Sequence, residues 1–229
     1  MALRHALTLY QDRGNVITSA PAVEPVTAAD LRTYLRETAT GLPDSEADDF
    51  ITEARQYIED QCNIAMITQS WLMAIDRWPT QSEPWWDGWR QAHINVIHGA
   101  TALSSVSPPR FPLQAVDGVN VYDEAGNATA VVVADTFDID TYRTPGRMTL
   151  KRGATWPVAL RANNAIEISY TSGYGSAAAD VPAPMKRAVK QMAAYLYQNR
   201  GDGCGCDVSQ AFEDSGAASL LSAYKVRQV

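Results

Sequence analysis

A basic surplus is missing from this chain: its 229 residues carry 19 lysines and arginines against 26 aspartates and glutamates, for a formal net charge of -7. A general nucleic-acid binder needs cations to neutralise phosphates, so this balance argues against that class. Cysteine is scarce too. The three present, Cys62, Cys204 and Cys206, are too few for a disulfide-stapled scaffold and read as reduced thiols. Cys204 and Cys206 flank Gly205, but a zinc site needs two further ligands, and His5, His93 and His98 lie far away in sequence. No metal or cofactor is expected. The chain also lacks a run of eighteen or so apolar residues, and its start, MALRHALTLYQDRGN, lacks the apolar stretch and small-residue cleavage site of a signal peptide. These absences point to a soluble protein made in a cytoplasm, without a membrane partner.

What is present is enough to fold. Hydrophobic residues make up 46% of the chain, which suits one domain, or one domain carrying a large insertion. The charge is unevenly spread. Between Glu24 and Asp60 ten acids meet three arginines, so this stretch alone holds the surplus of seven negative charges and the remainder balances.

Helical signals open at Val26-Thr27-Ala28-Ala29-Asp30-Leu31, where Thr27 can cap a helix, Asp30 stands at the capping-box position and Val26 can staple onto Leu31. The helix is expected to run to about Glu37. After the break Gly41-Leu42-Pro43, Asp44 or Ser45 can cap a second helix whose apolar residues from Ala47 to Cys62 recur at helical spacing beneath an acidic outer face. From Gln69 the period changes to two, and strands are expected at 68–76, 93–97, 114–122, 129–133, 147–151 and 165–171, with Asp123 to Asn127 as a hairpin turn. Short strands without helices between them imply an antiparallel sheet or small barrel. Helical spacing returns from Pro182 to about Arg200, and Gly201 to Cys206 reads as a flexible break before a small and polar tail. The fold class is α+β: a small helical bundle with an inserted antiparallel β-rich domain and extended N- and C-terminal arms. The boundaries are 1–26 for the N-terminal arm, 27–66 and 183–200 for the helical core, 67–182 for the insertion and 201–229 for the C-terminal arm.

Catalytic motifs are missing: there is no nucleophile elbow, no phosphate-cradling glycine loop and no HExxH helix. Gly173-Tyr174-Gly175 reads as a turn. Asp138 and Asp140 share one face of a segment, but a glycosidase-like pair needs carboxylates from different elements, so solvation is their expected role. Trp85, Trp86 and Trp89 fit either a protein interface or stacking on sugar rings, with the protein contact favoured because tryptophan is enriched at interface hot spots. The chain is not expected to be an enzyme.

The order of these pieces resembles the phage head-to-tail connector (adaptor) family, in particular its members with a β-domain inserted between helices. The resemblance rests on Val26 to Arg36, the helix Glu53 to Cys62 followed by Ile67-Thr68-Gln69-Ser70-Trp71, and Trp78-Pro79. It continues with Phe111 to Val116 leading into Val121 to Gly126, Trp156-Pro157, Ile166 to Gly175, Val181-Pro182, Tyr197-Gln198-Asn199-Arg200, and Leu220-Leu221 with Tyr224-Lys225. Lys225 stands where an arginine is common in the family, and the tryptophan-rich stretch from Pro79 to about Gln91 is longer than the family pattern.

The resemblance implies a structural virion protein, assembled in the host cytoplasm at the head-to-tail interface. Its subunits would form a ring, twelve-fold to match the portal, that continues the DNA channel and docks the next neck or tail protein. Double-stranded DNA would pass without specific binding. Leu220, Leu221, Tyr224, Lys225 and Arg227 are expected to contact the portal, because a glycine-linked tail ending in apolar anchors has no evident core of its own. Asp44, Glu46, Asp48, Asp49 and Glu53 are candidates for lining the channel, where like charge would repel phosphates. The alternatives are another neck component, such as a stopper or tail-completion protein, or a carbohydrate-binding β-module of a virion surface.

Overall fold

A computed structural model describes residues 13–78, 105–158, 161–200 and 208–225. The chain is α+β, as expected, with a helical cluster and an antiparallel β-rich part.

The first helix, α1 (Ala28–Leu35), starts where the sequence placed it: Asp30 N–H donates to Thr27 Oγ1 at 3.1 Å and Thr27 N–H donates to Asp30 Oδ2 at 3.3 Å, closing the capping box. It ends two residues before Glu37, because Arg36 turns into the left-handed region at φ 61° and its N–H closes on Arg32 O. Helix α2 (Asp44–Cys62) is preceded by Pro43 and has no side-chain cap. Asp44, one of the two expected caps, instead binds Arg32 of α1. α2 buries Ala47, Ile51, Ala54, Ile58 and Cys62 against Leu31 of α1 and against Met185, Val189 and Met192 of the later long helix (Ala183–Gln198).

The β-rich part contributes a separate cluster. β1 (Arg13–Ser19) pairs with β2 (Gln69–Ile75); then come β3 (Ser105–Val106), β4 (Leu113–Tyr122) and β5 (Ala128–Val131). A single-turn helix α3 (Val133–Thr136) leads to β6 (Phe137–Asp140), β7 (Arg147–Leu150) and β8 (Ile166–Ser172). The long helix already described is α4, and it is followed by α5 (Val208–Asp214) and α6 (Ala217–Leu221). The five-stranded sheet has the order β1-β2-β8-β4-β5 and the three-stranded sheet the order β3-β7-β6, antiparallel throughout. Trp71, Met73 and Ile75 of β2 alternate inward as their period of two requires, and join Ile166, Ile168 and Tyr170 of β8. Val106, Met148, Leu150 and Phe137 of the smaller sheet close the same cluster. Trp78 stacks on Trp156 at 4.4 Å between centroids, with Phe137 beside both.

Five of the six expected strands form, within two residues of the expected limits. The sixth, 93–97, lies outside the described residues. Residues 13–19, within the segment read as an arm, form β1, and 137–140 and 105–106 are further strands. Within the C-terminal arm, residues 208–214 form α5 and 217–221 form α6.

Candidate assembly surfaces

The helical and β-rich parts are joined by a buried polar hub. Arg55 and Glu59 stand one turn apart on α2 and are both 5% exposed. Arg55 donates from Nη1 to Glu59 Oε2 at 2.8 Å and from Nε to Glu24 Oε2 at 2.7 Å. The other Glu59 oxygen accepts from Met66 N–H at 2.7 Å and from Gln69 Nε2 at 2.9 Å. Burial works against the Arg55 charge, but Glu24 and Glu59 outweigh it and its pKa is raised. Burial pushes the Glu59 carboxyl up, against the pull of Arg55 and the Met66 and Gln69 donors. Next to the hub, Arg110 donates to Glu59 O at 2.7 Å, binds Asp60 and lies over the Trp71 ring at 4.7 Å. The exit of α2 is thereby tied to the entry of β2 and to the chain just before β4. These side chains were not singled out in the sequence, where Glu59 counted only as part of an acidic face; its spacing of four from Arg55 was the available signal.

The same junction accounts for the glycine pair. Gly173, at φ +142°, lies so close to the Thr68 and Ile67 backbone that a Cβ would come within 2.6 Å. Its N–H donates to Pro112 O at 2.9 Å, while Thr68 N–H donates to Gly175 O at 2.9 Å. Gly173-Tyr174-Gly175 is therefore a backbone joint, in keeping with the turn reading. Asp140 accepts from Tyr142 N–H and from Arg147 Nε, both at 3.2 Å, which braces the β6–β7 hairpin. Among the described residues no group of three or more His, Cys, Asp or Glu could hold a metal ion. Cys62 is buried, and Cys204 and Cys206 lie outside the described residues.

The five candidate channel acids all sit in the first half of α2, but on different sides. At about 100° per residue, Asp49 and Glu53 fall opposite the core-facing Ile51, Ala54 and Ile58, Glu46 and Asp48 lie on the two flanks, and Asp44 falls on the core side but at the exposed first residue of the helix. Asp44 is paired with Arg32, and Glu46 stands 3.9 Å from Arg200. Asp48, Asp49 and Glu53 are exposed.

The C-terminal candidates differ from expectation in one respect. Leu221 is 1% exposed and belongs to the helical core together with Phe212 and Ala217, so this tail does have a core. The reason is local: Gly216 at φ +78° reverses the chain between α5 and α6 and folds both short helices back onto α4. Leu220 and Tyr224 pack at the margin and Lys225 is exposed, beside a cleft of about 350 Å³ lined by Cys62, Phe212, Leu221 and Lys225 among others. Arg227 and the tryptophans Trp85, Trp86 and Trp89 lie outside the described residues.

No family model and no curated protein matches this sequence. Solved structures do. A chain from the neck of an empty GTA particle, computed with C6 symmetry, superposes with a TM-score of 0.68 at 21% identity, covering 94% of this chain and 97% of that one. This chain has that neck chain's fold. A chain of the virion of a native gene transfer agent particle aligns at TM-score 0.65 and 19% identity over 94% and 96% of the two chains. One from the native GTA neck computed with C12 symmetry aligns at 0.62 and 20%, over 93% and 97%. The likeness spans both the helical cluster and the β-rich part. No helix among the described residues is long and apolar enough to cross a membrane.

Proposed function

We propose that this chain is a structural neck protein of a phage-like particle: a head-to-tail adaptor whose copies form a ring beneath the portal, continue the DNA channel and dock the next neck or tail protein. The observation that carries the reading is the length of the fold match. Nearly the whole chain aligns with nearly the whole of a particle neck chain, so the likeness takes in the helical cluster and the β-rich part together rather than one shared module. Copies arranged around a cyclic axis use heterologous contacts, two different patches on each subunit, and twelve copies would match a twelve-fold portal. In this reading the C-terminal pair α5–α6 meets the portal as a folded unit, presenting Leu220, Tyr224 and Lys225 while Leu221 holds the unit to its own core. The outward acids of α2 face the channel. Deleting the gene from a particle-producing locus tests the role: DNA-filled heads and unattached tails are expected in electron micrographs, restored to whole particles by the gene in trans. Complete particles with normal necks in its absence would overturn it.

A further inference from the structure

The five-stranded sheet ends in β1 on one side and β5 on the other, and neither has a second strand neighbour among the described residues. A row of unpaired N–H and C=O groups invites another strand, and proteins that must stay apart blunt such edges with charge or proline. Here β5 contains neither, and β1 carries a single charge, at its first residue Arg13. β1 leaves Val16 61% and Ile17 42% exposed, on opposite faces of the strand, and its pairing with β2 is irregular only between Ile17 and Ser19. β5 exposes Ala128, Thr129 and Ala130, and Val132 just beyond it is 61% exposed.

Direction decides what these edges can join. Four antiparallel steps separate β1 from β5, so the two end strands run the same way. A rotation about an axis along the strands preserves that direction, so in a cyclic ring β1 of one copy can meet β5 of the next only as a parallel pair. A two-fold axis would instead pair β1 with β1, antiparallel, and close a dimer.

We propose that the free edge of β1 docks on the free edge of β5 of a second copy of this chain, so that the sheets run on from subunit to subunit around the ring. The inference rests on the ring-forming neck reading above and goes further, to the contact that builds the ring. Each copy offers one edge of each kind, which is the two-patch arrangement that a head-to-tail ring needs and a closed dimer does not.

The test places a photoreactive benzoylphenylalanine at Val16 of the full chain, produced with the rest of the particle, and irradiates the assembled particles. The side chain is exposed, so the substitution leaves the core untouched. Expected are a ladder of cross-linked copies and adducts mapping to 128–132, and from a second variant with the same probe at Thr129, adducts mapping to 14–18. A chain that enters the particle but gives no ladder, joins 16 to 16, or maps elsewhere overturns the edge pairing and leaves the neck reading standing. A chain that never enters the particle overturns both.

Discussion

Glu59 sits one helical turn after Arg55 and the two close a buried ion pair at 2.8 Å, with the second Glu59 oxygen holding the Met66 N–H that leads into the sheet. Removing one partner of such a pair leaves a charge stranded out of water. Glu59→Ala should therefore destabilise the protein by about 3 kcal/mol, since Glu24 still neutralises part of Arg55. Urea unfolding followed by tryptophan fluorescence measures it. A change within about 0.5 kcal/mol, the usual range for an unimportant surface site, would deny the hub its role.

The same carboxyl carries a pH signature. Burial raises the Glu59 pKa in the folded chain above its unfolded value, so between the two the native state holds more proton than the unfolded state. Stability from this group is then full below the unfolded value and declines as pH rises through the folded one. Glu59→Gln cannot titrate. The stability gap between the natural chain and Glu59→Gln should narrow as pH is raised through that window, measured by melting temperature, and a gap that widens would contradict the sign.

Gly173→Ala should cost about 2 kcal/mol or more, because a methyl group at φ +142° is both strained and within 2.6 Å of the Thr68 backbone. Ala in place of Gly126, which stands at φ +84° with open space around it, carries the strain alone and should cost less. Comparing the two melting temperatures separates contact from conformation.

Local signals were legible and long-range ones were not. Thr27 and Asp30 announce a helix start within four residues, and Trp71, Met73 and Ile75 announce a strand by period alone, so both survive unchanged. β1 depends on β2 more than fifty residues away, and nothing in RGNVITS marks it as paired rather than free. α5 and α6 are short and rich in small residues; Phe212 and Leu221 become core only once Gly216 turns the chain back on α4. The acids of α2 read as one face because charge is counted along the chain, whereas the helix sends Asp44 and Asp49 to different sides.

That fold-back changes what the C-terminal unit can tolerate. Leu221→Ala should destabilise by about 3 kcal/mol, as for other buried leucines, and truncation after Arg200 should weaken the domain by uncovering Cys62 and the α4 face. Leu220→Asp with Tyr224→Ala touches only the margin. If α5–α6 meets the portal, this double variant keeps the natural melting temperature within a few degrees yet fails to co-sediment with purified portal; unchanged co-sedimentation would remove these residues from the contact.

The final prediction concerns Asp49 and Glu53, which point away from the helical core and have no ion-pair partner among the described residues. If they face a channel, DNA sliding past meets like charge, and phosphates find nothing to hold them. Lysine at both positions replaces repulsion with a salt-dependent grip, because each phosphate neutralised releases counterions. Twelve copies would multiply the change around the ring. Screening sets the signature: the Debye length is about 30 Å at 0.01 M salt and about 8 Å at 0.15 M, so the grip should be strongest at low salt and fade as salt is added. Particles carrying Asp49→Lys with Glu53→Lys should therefore release DNA more slowly than the natural particle at low salt and at a converging rate near physiological salt, followed by a DNA-binding dye. Both residues are exposed, so folding should be little affected, which the melting temperature checks. Equal release rates at every salt concentration, in particles that contain the variant chain, would place these acids outside the channel wall and leave them as a solvated outer face.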